Sequence, residues 1–148
     1  MRSTINLASI FLLGAMLLLA GCSDDDSPTG PAASQLVGTW QAVSVTVDGQ
    51  ATSLSDGMDW ADGAVRSVLV LGPSLSLINT EYDASGNILY QSSGTYSTSG
   101  STLTLNFTLE DGVPTQETLV ATYSITNNQL TTTLMNEGSS LVIIWSAQ

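Results

Sequence analysis

The sequence has no histidine, one cysteine and only two basic residues, and these shortages exclude several kinds of chemistry. Without an imidazole there is no Ser-His-Asp or Cys-His nucleophile system and no histidine metal site. A single cysteine excludes an internal disulfide and a thiolate zinc cluster. A formal net charge of -11 offers no basic surface to a phosphate backbone, so we expect no nucleic-acid partner. We also predict no cofactor. The length of 148 residues predicts one domain at most.

The first 21 residues have the pattern of a signal peptide. Arg2 precedes an apolar run over residues 7–20, and the polar stretch Ser23-Asp24-Asp25-Asp26 follows it closely. A membrane-spanning helix needs about 20 apolar residues, so this run is too short and wrongly flanked to be a permanent anchor. We therefore predict that residues 1–21 are removed during export.

Residues Leu19-Ala20-Gly21-Cys22 resemble the lipobox of bacterial lipoproteins. The resemblance implies cleavage before Cys22, diacylglycerol on the Cys22 sulfur and acylation of the new amino terminus. Several acyl chains, at about 0.8 kcal/mol per buried CH₂, hold a protein on a bilayer stably. The implied partner is thus a membrane, contacted through the acyl anchor on Cys22. The alternative is a secreted protein with an incidental cysteine near its cleavage site.

Residues 22–35 are acidic, carry Pro28, Gly30 and Pro31, and are predicted to form a flexible linker after the acylated cysteine. Ser23 stands where an aspartate is the usual inner-membrane retention signal of proteobacterial lipoproteins, which favours the outer membrane. The acids after Cys22 also resemble a surface-export signal of the Bacteroidetes type. Both the periplasmic side and the cell surface therefore stay open.

From Leu36 to Gln148 the sequence is typical of an all-β domain. Leu103, Leu105, Phe107 and Leu109 alternate with polar residues, which predicts a strand with one apolar face. Turn signals such as Asp-Gly and Asn-Asn divide the domain into eight predicted strands, at residues 36–47, 65–72, 74–82, 88–97, 102–109, 116–126, 129–136 and 140–147. Nearly all connections are hairpin-short, which predicts an antiparallel up-and-down barrel, a closed form that removes exposed strand edges.

The exception is the long connection at residues 48–64, which contains Trp60. The sequence predicts a short helix there, capped by Ser55 or Asp56. Between the first two strands of a barrel, such a segment would sit at one mouth. It is interpreted either as a lid over a cavity or as an ordinary insertion whose Trp60 plugs the barrel end.

Acidic residues are the remaining candidates for chemistry. Asp56, Asp59 and Asp62 recur every three positions, and oxygen ligands suit Ca²⁺, but the spacing is not that of an EF-hand and exposed acids are usually solvated. A paired-carboxylate hydrolase needs no histidine. However, no two acids are marked as partners by the sequence. We predict neither a metal site nor catalytic residues, and hence no enzyme.

The first predicted strand opens Leu36-Val37-Gly38-Thr39-Trp40, which resembles the Gly-x-Trp opening of the lipocalin superfamily. Together with the eight-strand pattern, the resemblance covers residues 36–148 and implies a calycin-type barrel that holds one small apolar molecule. Gly38 would permit a bend or a close backbone approach, and Trp40 would close the barrel base. Lipocalins commonly stack a late-strand arginine on that tryptophan. Here the sole candidate is Arg66, near the second strand, which indicates a divergent relative.

Eight strands is the size at which a barrel interior is either just filled by side chains or just roomy enough for one ligand. The first alternative is a structural or protein-interaction lipoprotein of unknown partner, and the second is a binding protein for a small apolar ligand. Inward-facing strand positions, with the tryptophan of the long connection, supply the candidate ligand-binding residues: Trp40, Trp60, Tyr90, Leu105, Phe107, Tyr123, Leu134 and Trp145.

Overall fold

The computed structural model describes residues 33–57 and 61–148. The predicted signal peptide, the lipobox with Cys22, and Trp60 lie outside these residues. The described chain forms two short helices and nine strands: α1 Ala33–Leu36, β1 Gly38–Val47, β2 Gln50–Thr52, α2 Leu54–Gly57, β3 Arg66–Leu71, β4 Ser76–Tyr82, β5 Ile88–Ser99, β6 Thr102–Glu110, β7 Val113–Thr126, β8 Gln129–Asn136 and β9 Ser139–Ala147.

The strands form one antiparallel sheet that closes on itself. β1 and β3 to β9 pair in chain order, and β9 returns to pair with β1 from Trp40↔Ala147 to Val47↔Leu141. This closure makes an eight-stranded up-and-down barrel and confirms the predicted all-β fold class. The short β2 stands outside the ring as a hairpin partner of β1.

The segment after β1 differs in detail from its prediction. Asp48 and Gly49 take positive φ angles of 49° and 78°, the geometry of a tight hairpin turn, so the chain folds back as β2 at once. The predicted helix cap is wrong. Because α2 begins at Leu54, the preceding Ser53 is the cap: its Oγ accepts from the Asp56 N–H at 3.2 Å and donates to Asp56 Oδ2 at 2.6 Å.

One end of the barrel, here called the base, is filled by side chains. The Trp40 Nε1–H donates to the carbonyl oxygen of Leu36 at 2.8 Å, so the fully buried end of α1 covers this opening. Trp145 Nε1–H donates to Thr132 Oγ1 at 3.0 Å, which satisfies a second buried indole. The apolar residues of the base are Leu36, Trp40, Leu69, Leu71, Leu77, Tyr96, Leu103, Tyr123, Leu130, Ile143 and Trp145.

A close backbone approach occurs at Gly94 and not at Gly38. A Cβ added at Gly38 would meet Trp40 Nε1 at 3.8 Å, an ordinary contact, so the close approach expected there is absent. A Cβ at Gly94 would overlap the carbonyl oxygen of Asn106 on the neighbouring strand. The Gly94 position lies beside a register shift between β5 and β6, where glycine lets the strands draw together.

Within residues 33–57 and 61–148, no helix has the length and apolar character needed to cross a bilayer.

Candidate ligand cavity

The end of the barrel opposite the base, here called the mouth, contains an open cavity of about 1060 Å³. It lies where β1, β6 and β8 end and where β5, β7 and β9 begin. Small-molecule sites commonly occupy about 300–1,000 Å³. The barrel interior therefore has two parts along its axis: a base packed with side chains and a mouth with room for a ligand.

One wall of the cavity is apolar. Val47, Leu134 and Leu141 stand on three consecutive strands of the ring, where Val47 faces Leu141 and Leu141 faces Leu134 across the strand pairs. Because directly opposed side chains in a sheet touch, these three residues form one continuous apolar patch. Leu119 on β7 also lines the cavity but has no pairing with β8.

The opposite wall carries a hydrogen-bonded group of acids and a tyrosine. Tyr90 on β5, Glu110 on β6 and Glu117 on β7 line the cavity. The Tyr90 hydroxyl donates to Glu110, and burial, followed by the charge of Glu110, raises the pKa of Tyr90 above its ordinary value. Burial also raises the pKa of Glu117, reinforced by a hydrogen bond with Glu110. The structure thus pairs two acids that the sequence did not mark as partners.

A third interior acid, Glu81 on β4, is fully buried. Its Oε2 accepts from the Ala61 N–H at 2.9 Å, and its Oε1 accepts from Asn79 Nδ2 at 3.4 Å. Asn79 Oδ1 in turn accepts from Ser67 Oγ at 3.1 Å. Desolvation raises the pKa of the Glu81 carboxyl. Because Ala61 also lines the cavity, this ladder fixes the end of the long connection at the mouth.

Arg66, the basic residue of the described chain, does not face these acids. Its guanidinium lies 3.9 Å from the ring centre of Tyr82, its cross-strand partner. Arg66 faces the opposite side from its inward neighbour Ser67, and Tyr82 does the same beside Glu81. Strand alternation therefore directs the side chains of Arg66 and Tyr82 outward. Arg66 also begins β3 at the mouth, whereas Trp40 is at the base, which rules out the arginine-on-tryptophan stack common in lipocalins.

A family model described as a lipocalin-like domain matches residues 36–131. The chain belongs to the lipocalin-like domain family. A search of curated proteins finds no significant match. The matched range begins at the buried end of α1 and includes Trp40, Glu110 and Glu117, and so covers both the base and the acidic wall.

The cavity of this lipocalin-like domain also opens sideways between β7 and β8. The described pairing of these strands begins at Ala121↔Leu134, so the residues of β7 from Val113 to Val120 pair with β6 alone. Val120 and Met135 line the gap and are 57% and 67% exposed. The result is a side opening with an apolar rim.

The structure divides the predicted ligand-binding residues between the two halves. Tyr90 and Leu134 line the cavity. Trp40, Phe107, Tyr123 and Trp145 are buried in the core, and Leu105 packs against it. Trp60 lies outside the described residues, while Asp56 and Ala61 on either side of it line the cavity and place the long connection at the mouth, as expected.

The acids were missed for two different reasons. Glu117 shares the inward parity of Leu119 and Tyr123, so alternation along β7 could have identified it. Glu110 could not be found this way, because a bulge at Thr108 shifts the parity of β6. The bulge turns Leu109 outward, where it is 40% exposed, and the prediction that Leu109 belongs to the apolar face is wrong.

Among the described residues, no three acidic, cysteine or histidine side chains are grouped to hold a metal ion. Asp59, one of the three aspartates considered for Ca²⁺, lies outside these residues.

Proposed function

We propose that this lipocalin-like domain is a lipid-anchored lipoprotein of the bacterial envelope, held on the outer membrane through Cys22, and that its barrel binds a small molecule with an apolar part. The observation that carries the binding proposal is the cavity of about 1060 Å³ with a continuous apolar wall above a packed base. A rigid base keeps the cavity open before a ligand arrives, which lowers the ordering cost of binding.

The segment between β1 and β3 is proposed as a lid. Asp56 and Ala61 line the cavity, and the Ala61 N–H is held by buried Glu81. One end of the segment is therefore tied to the barrel wall at the mouth. A lid of this kind would shield the apolar part of a bound molecule from water.

We propose a binding protein and not an enzyme. The paired acids Glu110 and Glu117 are joined by a hydrogen bond. Glycoside hydrolysis requires carboxyl groups about 5–9.5 Å apart, with space between them for the sugar or a water molecule. Two carboxyl groups joined by a hydrogen bond leave no space between them for a sugar or a water molecule.

The binding proposal is tested with a neutral fluorescent probe, N-phenyl-1-naphthylamine. Its emission should rise saturably with the soluble domain, residues 36–148 without the signal peptide and acylated cysteine, and native mass spectrometry should show co-purified small molecules. Leu134→Trp fills the cavity and should abolish the rise, whereas Ile78→Trp, on the outer face of β4, should leave it unchanged. Equal probe binding by both variants, or none by the folded wild type, would contradict the proposal.

The anchor is tested by cell fractionation. Wild type should sediment with membranes, and Cys22→Ala should appear in the soluble fraction. Ser23→Ala is the matched control and should stay with the outer membrane, while Ser23→Asp should move the protein to the inner membrane of a proteobacterial host. Membrane retention of Cys22→Ala would refute acylation at this residue.

A second candidate function, a protein-interaction lipoprotein, is favoured by the open edge of β7. Residues 113–120 have one side without a strand partner among the described residues, and Val113 and Val120 are exposed there. Unpaired edges accept strands from other chains. For this function, a photo-crosslinker at Val120 should give discrete protein adducts in cells, and one at Ile78 should not.

A further inference from the structure

We propose that the ligand is a cationic amphiphile, an organic amine or quaternary ammonium with an apolar chain, whose cation lies against Glu110 and Glu117 and whose chain lies on the apolar wall. This inference rests on the proposed binding function and specifies its ligand class.

The acids of the cavity have no internal counter-charge. Arg66 stacks on Tyr82 at 3.9 Å on the outer face, and the chain's other basic residue, Arg2, lies in the predicted signal peptide. The sequence contains no histidine. Carboxyl groups in a partly desolvated site are costly unless they are protonated or paired with a cation. A bound ammonium group would supply the positive charge that no basic side chain of the protein provides there.

The two walls are close enough for one short molecule to touch both. Glu117 and Leu119 are successive inward residues of β7, and such positions lie about 7 Å apart along a strand. On the other side of the gap between β7 and β8, Leu134, Leu141 and Val47 form the apolar patch that lines the same cavity. A molecule with its charge at one end and a chain of several carbons therefore matches the arrangement.

The aromatic residue of the acidic wall adds to this selectivity. Tyr90 lines the cavity beside Glu110, and aromatic faces attract cations. An anionic amphiphile such as a fatty acid would instead meet Glu110, Glu117 and the nearby Asp111, whose charges all act on Tyr90. Repulsion by these carboxylates should exclude anionic ligands from this site.

The test compares three probes with the same twelve-carbon chain: dodecyltrimethylammonium, dodecyl maltoside and dodecyl sulfate. Displacement of N-phenyl-1-naphthylamine from the soluble domain is measured for each probe, below its micelle concentration and at low salt. The trimethylammonium probe should bind at least tenfold more tightly than the sulfate. Glu117→Gln and Glu110→Gln should each weaken its binding at least fivefold and leave the maltoside unaffected.

Glu137→Gln is the matched control. It removes the same charge from the turn before β9, where Glu137 itself does not line the cavity although Asn136 and Ser139 beside it do, so all three affinities should change far less than with Glu117→Gln. Unchanged maltoside binding also shows that a variant has folded. Equal affinities for all three head groups, with dye binding intact, would overturn the cationic assignment and leave the binding function standing. Failure of the wild type to bind the dye at all would overturn both.

Discussion

Glu81 is an acid enclosed in the barrel wall whose partners are amide groups rather than cations. It accepts from the Ala61 N–H and from Asn79, and its side chain is fully buried. A buried carboxyl of this kind prefers its protonated form, which explains the direction of its pKa shift. The residue therefore links the stability of the fold to pH.

Glu81→Gln should reduce the loss of stability that wild type shows as pH rises. The folded-state pKa of Glu81 lies above its ordinary value of 4.5, so the folded state holds more protons than the unfolded state between these two values. Glu81 thus contributes stability below pH 4.5 that is lost as pH rises through the folded pKa. Glutamine keeps an acceptor for Ala61 but does not ionise.

Urea denaturation from pH 4 to pH 8 measures this effect. The free energy of unfolding of Glu81→Gln should fall less steeply over that interval than that of wild type. Glu137→Gln, which changes an exposed turn residue, should keep the wild-type slope. Glu117 has a pKa shifted in the same direction, so part of the slope should survive in both variants. Identical slopes for wild type and Glu81→Gln would contradict the role of Glu81.

At the level of single residues, prediction from the sequence succeeded where alternation was regular. Trp40, Tyr123 and Trp145 were expected to face inward, and all three are buried. Glu110 was beyond reach, because a one-residue bulge reverses the side of the sheet that a residue faces. The inward position of Glu81 follows from the alternation of inward and outward residues along β4. Its contact with Ala61 could not be predicted, because no sequence pattern specifies the path of the long connection.

Among the elements, β7 has two parts with different surroundings. Residues 121–126 pair with strands on both sides, while residues 113–120 pair with β6 alone. Pro114, which has no N–H to donate to a neighbouring strand, stands in the singly paired part. The side opening of the cavity depends on this separation from β8.

Hydrogen exchange should distinguish the two parts of β7. Amides of residues 113–120 that point toward β8 have no described acceptor there and should exchange at least tenfold faster than those of residues 121–126. Exchange measured by nuclear magnetic resonance on the soluble domain resolves individual amides. The residues of β6 opposite serve as the control and should stay protected. Uniform protection along β7 would show that β8 closes the gap in solution.

The bounds of the main strands were predictable because apolar alternation and turn residues carry that information locally. β2 was not predicted, since three residues are too few to show a period. Its hairpin with β1 depends on the Asp48-Gly49 turn, which the sequence does display. The side opening was not predictable either, because it depends on which strand residues find partners and not on any one strand.

For the whole molecule, barrel closure could be predicted and the interior volume could not. Short connections between consecutive strands favour a meander, and closure removes its edges. The volume depends on the register of every strand pair and on how far the base is filled. Here the base is filled by large residues such as Trp40 and Tyr96, and the mouth is not. The sequence left two alternatives open, an interior filled by side chains and an interior with room for a ligand. The base fits the first alternative and the mouth fits the second.

Net charge leads to a prediction for the whole molecule. Residues 36–148 keep 10 acidic residues (13 − 3) and one basic residue (2 − 1), and their net charge of -9 (1 − 10) opposes compaction through self-repulsion. Raising NaCl from about 0.01 M to about 1 M shortens the Debye length from about 30 Å to about 3 Å. The Tm of the soluble domain should therefore rise by several degrees at pH 7. At pH 4, where many carboxyls are protonated, the rise should be smaller, and an equal rise at both pH values would count against repulsion.

The pairing of β1 with β9 sets the order in which the molecule can be completed. The contact Trp40↔Ala147 joins the two ends of the domain, so the ring lacks its last strand until almost the whole chain has been synthesised. Contacts between residues so distant in sequence form slowly. Along the proposed export route this delay is useful, because a chain that cannot close its barrel during synthesis stays unfolded enough to be threaded through a translocation channel.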